Sequence, residues 1–218
     1  MGISLVLQQP LCIAWSAVIV EGQCKAFAQA AAQVDWTAFQ RAKPPIAVIV
    51  DKPDAEQFRR MAQYEEALSS VPVDHEFIRP DADRAGYALV LDARQDSATA
   101  LTPDALPAAL LQSLPLRVSD GNHTSYALSQ DRRWLVAYVR NAGHYELGMC
   151  DIQSVERYRL ADRPRRVEVE LRGFAGPCVH QVWDAATAKV VAQGKLSDPL
   201  KIGFDDTAAD LLVLVKPE

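Results

Sequence analysis

Apolar and polar residues between positions 44 and 92 follow first the pattern of a buried strand and then that of a helix. Residues 46–50 are all apolar, and Asp51 follows them directly. An unbroken apolar run of this length, closed by turn-forming residues, predicts a strand buried on both faces, as in a parallel sheet. Asp54 is placed to cap the helix that follows, and Gln57, three residues later, completes a capping box.

The segment after Asp54 repeats apolar residues every three or four positions, which gives a helix one apolar face. These residues are Phe58, Met61, Tyr64 and Leu68. Two more strands are predicted over residues 73–78 and 87–92. A strand, a helix and a strand of these lengths predict a right-handed parallel crossover.

From residue 116 onward the pattern changes to short strands separated by turn residues, with no helical stretch between them. Residues 166–171 alternate clearly, with Val167, Val169 and Leu171 on one side and glutamates on the other. A hairpin is predicted around the turn at residues 184–188. The remaining predicted strands cover residues 125–128, 134–140, 145–149, 200–204 and 211–215. Short strands in this number predict an antiparallel β-sandwich.

This change of pattern predicts two domains. A flavodoxin-like, class I glutamine amidotransferase-like parallel α/β domain covers residues 1–117, and a C-terminal β-sandwich domain covers residues 118–218. In the first domain, further helices are predicted over residues 24–39 and 102–113. A separate short helix capped by Asp35 is the alternative for the end of the first of these.

The apolar run at residues 11–20 raises the question of a membrane segment. It is about ten residues long, whereas a helix needs about twenty to cross a bilayer. No basic flank precedes it, as a signal peptide would require. We therefore interpret the run as buried core and expect no membrane partner. A native N-terminus would then place the protein in the cytoplasm, whereas a fragment would have lost its original N-terminus.

Composition and charge narrow the classes of function. The chain has 218 residues, 49% of them hydrophobic, and a formal net charge of -5 with acidic and basic residues interspersed. A nucleic-acid partner is not expected, because binding to phosphates requires a dense cationic surface. The cysteines show no C-x-x-C spacing, so we expect reduced, buried side chains rather than a zinc site or a redox pair. They are Cys12, Cys24, Cys150 and Cys178.

Three charged residues stand at or just beyond the carboxyl ends of predicted parallel strands: Asp51, Asp92 and Arg94. Open parallel sheets bind ligands at this edge, which makes the three residues candidate ligand-binding groups. The competing interpretation is helix capping and loop solvation. No glycine-rich phosphate loop follows residue 50, and no cysteine has the setting of a nucleophile elbow. Since the four histidines are also scattered, we expect no catalytic residue, cofactor or metal site.

Aromatic side chains in the predicted sandwich offer a second candidate site. Trp134, Tyr138, Tyr145 and Trp183 could stack on sugar rings, although aromatic residues in strands belong more often to the core. Tyr145 has the best claim to exposure, because it follows a predicted loop. Tyr145 and Trp183 are therefore the candidate residues for a carbohydrate platform.

Three segments of the α/β pattern carry a resemblance to a known family; they are residues 46–51, 73–78 and 83–91. Together they resemble the amidotransferase-like, flavodoxin-like domain that follows the catalytic barrel in family-42 β-galactosidases and related glycoside hydrolases. A C-terminal β-sandwich commonly follows that domain, and residues 210–215 are similar to such sandwiches. The resemblance covers about residues 44–92 and, more loosely, 118–217. It implies a non-catalytic domain that often mediates oligomer contacts.

We therefore predict a non-catalytic accessory or interaction region of a glycoside hydrolase. The catalytic barrel is not part of this chain, because 218 residues are too few for the usual ~250-residue barrel and two further modules. The expected partner is a catalytic domain or a second copy of the chain. Two alternatives remain: a carbohydrate-binding module, and a degenerate glutamine amidotransferase-like enzyme.

Overall fold

The computed structural model describes residues 21–51, 54–71, 73–95, 101, 105–119, 122–141, 165–207 and 210–218. Within these residues the helices are α1 (Glu21–Ala31), α2 (Ala55–Ser69) and α3 (Ala108–Ser113). The first strands are β1 (Ile46–Ile49), β2 (His75–Ile78), β3 (Leu89–Asp92) and β4 (Leu116–Val118). The longer strands follow: β5 (Asn122–Leu128), β6 (Leu135–Asn141), β7 (Arg165–Leu171), β8 (Cys178–Asp184), β9 (Lys189–Lys195), β10 (Leu200–Thr207) and β11 (Leu211–Pro217).

The first three strands form a parallel sheet in the order β2-β1-β3. Strand β1 lies in the middle, with Ile46 level with His75 of β2 and with Leu89 of β3. Every residue of β1 is buried, as a strand in the centre of a parallel sheet requires. The predicted parallel arrangement of three strands, with α2 connecting β1 to β2, is confirmed.

Helix α2 begins as its capping sequence predicts, but with a different second partner. The Asp54 Oδ1 accepts a hydrogen bond from the Gln57 amide at 2.8 Å. The Gln57 Oε1 does not return to Asp54; it accepts from the Asp51 amide at 3.4 Å. The side chain of Gln57 therefore ties the start of α2 to the end of the preceding strand.

Phe58 does not belong to the buried face of α2, contrary to the predicted apolar stripe. It is 59% exposed, whereas Tyr64 and Leu68 are buried. Arg60 hydrogen-bonds the Ala93 carbonyl just after β3, so residue 60 is already level with the end of the sheet. Phe58 lies earlier, in the first turn of the helix, and its side chain stays exposed.

The strands from β4 onward form two antiparallel sheets, in the orders β5-β6-β11-β8-β9 and β10-β7-β4. Val167, Val169 and Leu171 of β7 are all fully buried, which confirms the predicted alternation. The hairpin of β8 and β9 is also confirmed. One hydrophobic core includes residues of both sheets. The described part of the chain therefore combines a parallel α/β layer with a larger antiparallel β-rich part.

Helix α1 packs on the antiparallel part and not on the parallel sheet. Its residues Ala26, Phe27 and Ala30 belong to the core shared with β6, β8 and β11. The Phe27 ring lies 5.5 Å from the Tyr138 ring, centroid to centroid. The predicted α/β domain of residues 1–117 includes this helix, and that division into domains stays a prediction. Apolar periodicity identifies a buried helix face but not the sheet that covers it.

The helix predicted over residues 24–39 ends earlier, at Ala31. A separate turn follows, in which the Asp35 Oδ1 accepts hydrogen bonds from the amides of Thr37 and Ala38. The alternative with Asp35 as a cap is therefore the correct one, although the capped segment is a single turn. The predicted helix over residues 102–113 is observed as α3, after Pro107; residues 102–104 are not described.

Some predictions fall outside the described residues: the apolar run 11–20 and the strand 145–149. In the part that the structure describes, no helix has both the length and the apolar character to cross a membrane.

We predict that Phe27→Ala lowers the free energy of unfolding by about 3 kcal/mol, because the substitution removes a buried ring and leaves a cavity. Phe58→Ala is the matched control, since the same atoms are removed from an exposed site. Its effect should stay within about 0.5 kcal/mol. Urea unfolding followed by tryptophan fluorescence measures both values. Equal losses in the two variants would contradict the packing of α1 described above.

Candidate functional site

The three charged residues predicted at the carboxyl edge of the parallel sheet do lie together. Asp92 ends β3 and is level with Ile49 of β1, and Asp51 lies just beyond the end of β1. The Arg94 Nε donates to the Asp92 Oδ1 at 2.8 Å, and its Nη2 donates to the Oδ2 at 2.6 Å. The Arg94 Nη1 is 3.9 Å from the Asp51 Oδ1. Arg94 thus holds Asp92 in a two-pronged ion pair and reaches toward Asp51.

The charges at this edge are largely compensated by one another. The hydrogen bond from Arg94 lowers the pKa of Asp92, and the same pairing raises the pKa of Arg94. Arg60 donates to the Ala93 carbonyl at 2.7 Å and to Glu56 at 2.7 Å. Asp92 is therefore a stable anion at neutral pH and cannot serve as a proton donor. These charged side chains therefore stabilise the ends of the loop and the helix at this edge of the sheet.

A second charged group lies deeper, where the parallel layer meets the antiparallel part. We call it the junction cluster; its members are Arg41, Glu65, Asp74, His75 and Tyr126. The Arg41 Nη2 is 2.7 Å from the Asp74 Oδ1, and the His75 Nε2 is 2.9 Å from the Glu65 Oε2. Asp74 is 7% exposed and His75 9%. Two ion-pairing contacts are therefore largely shielded from water.

Four separate parts of the chain bring the junction cluster together. Arg41 lies beside the end of β5, because the Ala42 amide donates to the Leu128 carbonyl at 2.7 Å. Asp74 and His75 lie at the start of β2, Glu65 comes from α2, and Tyr126 comes from β5. The Arg41–Asp74 pair therefore connects the antiparallel part to the parallel sheet.

Burial and neighbouring charges together set the pKa values in the junction cluster. It raises the pKa of Asp74 to about 6, although the neighbouring Arg41 acts in the opposite direction. Burial would lower the pKa of His75, but the hydrogen bond and charge of Glu65, together with Asp74, raise it above its ordinary value. Burial also raises the pKa of Tyr126. Asp74, His75 and Tyr126 consequently bind protons more tightly than the same groups do in water.

The junction cluster was not predicted from the sequence, where residues 73–78 were interpreted only as a strand. A usable signal was present, because Asp74-His75-Glu76 places three consecutive polar residues at the start of a strand beside the central strand of a parallel sheet. Buried polar side chains need partners. The sequence does not reveal that these partners are Arg41, Glu65 and Tyr126, which lie far from one another in the chain.

The candidate carbohydrate platform is not assembled in the described residues. Trp183 is 1% exposed and belongs to the antiparallel core, which agrees with the core interpretation of this residue. Trp134 and Tyr138 are buried as well. Tyr145 lies outside the described residues. Trp183 therefore presents no ring face on which a sugar could stack.

Cys178 has the character of a core residue. Its side chain is buried, and burial raises the pKa of the thiol, which lowers its reactivity near neutral pH. Cys12 and Cys150 lie outside the described residues, as does the side chain of Cys24. Within the residues that the structure describes, no group of three His, Cys, Asp or Glu side chains could hold a metal ion.

A surface cleft of about 580 Å³ lies between the end of α3, the turn after β5 and the end of β7. Arg172 lines it, but its guanidinium donates to the carbonyls of Leu114 and Gln112, at 3.0 Å and 2.6 Å. The Asp198 carboxylate accepts from the Gly173 and Phe174 amides, at 2.8 Å and 3.1 Å. Arg172 and Asp198 therefore satisfy backbone groups at the ends of a helix and a strand, as the charged residues at the edge of the parallel sheet do.

No protein-family model, curated protein or solved structure matches this chain. The resemblance to the C-terminal region of family-42 β-galactosidases stays a prediction.

We predict that Arg41→Ala lowers the free energy of unfolding by about 3 kcal/mol, because it leaves the Asp74 carboxylate buried without its cation. Arg94→Ala is the control: it also removes an arginine that pairs with an aspartate, but in a pair that water reaches. A far smaller loss is expected there. Denaturant unfolding of both variants measures the difference, and losses of the same size would show that the junction pair has no special importance.

The raised pKa of Asp74 should make the free energy of unfolding depend on pH. Its pKa is about 6 in the folded state and about 3.9 in the unfolded chain, so between these values the folded state binds more protons. Stability from this group therefore falls as pH rises from about 4 to 7, by about 3 kcal/mol at most. His75 acts in the same direction, since its raised pKa gives stability that is present below about 6.5 and lost as pH rises further.

Other carboxylates, such as Asp92, have lowered pKa values, so their contribution to stability is lost as the pH falls, which is the opposite trend. The variant Asp74→Asn separates the contribution of Asp74 from theirs, because it removes only that carboxylate. The difference in unfolding free energy between the unmodified chain and Asp74→Asn should change steadily between pH 4 and 7. A difference that is independent of pH over this interval would contradict the raised pKa of Asp74.

Proposed function

We propose that this chain is a non-catalytic accessory region of a glycoside hydrolase, which acts through contacts with a catalytic domain or with another copy of itself. We further propose that its parallel layer is the beginning of a flavodoxin-like sheet, and that its two antiparallel sheets form a β-sandwich. The order β2-β1-β3 supports the first assignment. The core shared by both antiparallel sheets supports the second.

The observation that carries the proposal is the exposure of strand β9. Val190 and Val191 are 43% and 46% exposed, and they are two of the four large hydrophobic residues exposed among the described residues. They lie on a strand at the border of the five-stranded sheet. Adjacent exposed valines on an edge strand are typical of a surface that contacts another protein.

The non-catalytic part of the proposal is supported by the sheet edge, where open parallel sheets place their ligands. Hydrolysis of a glycoside needs one carboxyl group that donates a proton and a second that acts as base or nucleophile. Asp92 has a lowered pKa and is held by Arg94. This aspartate is therefore unsuited to the role of proton donor.

The alternatives are less well supported. A carbohydrate-binding module would need an exposed aromatic platform; Trp183 is buried, and Tyr145 is the remaining candidate. A degenerate amidotransferase would need a reactive cysteine on a sharp strand-to-helix turn. Cys178 begins a strand instead and has a raised pKa. Selective labelling of one cysteine by a thiol-reactive probe would favour the amidotransferase.

We expect the purified chain to release no product from a panel of aryl glycosides. We also expect light scattering to show association, either of the chain with itself at increasing concentration or with the catalytic barrel of a family-42 enzyme. Val190→Thr/Val191→Thr should weaken this association without changing the urea midpoint, because both side chains are exposed.

Turnover that disappears in Asp51→Asn or Asp92→Asn would overturn the non-catalytic assignment. The carbohydrate-binding alternative would be favoured if the chain stayed monomeric, did not bind the barrel, and bound oligosaccharides in a titration monitored by tryptophan fluorescence.

A further inference from the structure

Strand β9 has an unpaired side. It contains seven residues, and six of them are exposed. The strand is the last in the order β5-β6-β11-β8-β9, so within the described residues it pairs with β8 alone. Among the described residues, no strand pairs with the backbone N–H and C=O groups on its other side, which is the side that an added strand would use.

The pairing of β9 with β8 has an irregularity beside the two exposed valines. Val182 of β8 is level with Ala192, whereas the next residue, Trp183, is level with Val190. Val191 is therefore an extra residue in β9, as in a β-bulge. Both valines are exposed, as is every residue of β9 except Ala192. They form an apolar pair near the first end of this edge strand.

The charges of β9 determine which partner fits. Lys189 and Lys195 stand at its two ends, and no acidic residue lies between them, although the whole chain carries a net charge of -5. Lys195 contacts Glu218 at 2.5 Å, but both side chains are exposed, so a partner can compete with this pair. Lys189 has no ion-pair partner among the described residues.

A second copy of β9 is a poor partner for this strand. In antiparallel pairing of two copies, a lysine end of one β9 would lie beside a lysine end of the other, and like charges on neighbouring strands are destabilising. In any register the second β9 still supplies no acidic residue. A strand with acidic residues at both ends and apolar or β-branched residues between them removes the repulsion and gains two cross-strand ion pairs.

We propose that β9 binds an extended peptide segment of another polypeptide, with acidic residues flanking an apolar centre, and adds it to the five-stranded sheet as a sixth strand. The proposal rests on the contact function proposed above, and it assigns that function a surface and a partner chemistry. Backbone hydrogen bonds give the affinity, and the lysines and valines select the sequence.

Three synthetic peptides test the proposal by fluorescence anisotropy with the full chain. The first has seven residues, with glutamate at both ends and valine and threonine between. The second replaces the glutamates with lysines, and the third is the acidic peptide N-methylated at every residue. We expect the acidic peptide to bind at least about tenfold more tightly than the lysine peptide, which corresponds to about 1.4 kcal/mol. N-methylation at every residue should abolish binding, since it removes the hydrogen-bond donors from both edges of the peptide.

Charge reversal on the protein provides the matched test. Lys189→Glu/Lys195→Glu should invert the preference, so that the lysine peptide binds more tightly than the acidic one. Arg59→Glu/Arg166→Glu is the control for net charge, because it also reverses two exposed charges, one on α2 and one on β7 of the other antiparallel sheet; it should keep the original preference. Far-UV circular dichroism and the urea midpoint establish that both variants remain folded.

Equal binding of the acidic and lysine peptides to the unmodified chain would overturn the proposal, as would full binding of the N-methylated peptide. The proposal would also be overturned if no peptide bound and the chain associated with itself equally well with and without Lys189→Glu/Lys195→Glu. That result would assign the contact to a second copy of the chain. These outcomes are separate from the failure of the proposed function, which would appear as glycoside turnover.

Discussion

The ion pair of Arg41 and Asp74 joins the two parts of this protein. Arg41 is anchored beside β5 through the adjacent Ala42 amide, and Asp74 lies at the start of β2, so the 2.7 Å contact between them spans the junction. Removing two charges from water is costly, and their attraction repays this cost only when the geometry is good and further hydrogen bonds are made. The position of the parallel layer against the antiparallel part is therefore constrained by a specific polar contact as well as by apolar packing.

This constraint has a physical use that apolar packing does not provide. Apolar surfaces attract one another in many relative positions, whereas a buried carboxylate accepts few arrangements other than the one that supplies its cation. The His75–Glu65 contact adds a second requirement of the same kind, at 2.9 Å, between β2 and α2. We infer that the junction cluster lowers the free energy of unfolding somewhat, because its charges are buried, and that it restricts the parallel and antiparallel sheets to one relative position.

The sequence predicted those features that depend on neighbouring residues. The strand at residues 46–50 and the alternation of Val167, Val169 and Leu171 were visible because each strand carries its own burial pattern. The placement of Phe27 on the antiparallel sheet was not visible, since an apolar helix face fits either sheet. Phe58 was assigned to the core because helical spacing does not show how much of an apolar helix face is covered.

The candidate sites differ in the same way. Asp51, Asp92 and Arg94 could be grouped from sequence, because the carboxyl ends of parallel strands meet at one edge of the sheet. The junction cluster could not be, because Arg41 and Asp74 are separated by 33 residues and belong to different layers. Long-range polar pairs leave no periodic pattern, so the sequence shows that Asp74 needs a partner without showing which one.

Charge compensation distinguishes the surfaces of this molecule more clearly than charge density does. At the sheet edge, both oxygens of Asp92 accept from Arg94, so a ligand there would first have to break existing bonds. At β9, Lys189 has no ion-pair partner in the described part of the chain, and the unpaired side of the strand offers backbone groups as well. A partner gains most where the protein has not already satisfied its own polar groups. By this reasoning the border of the five-stranded sheet, and not the edge of the parallel sheet, is where recognition by this chain is expected.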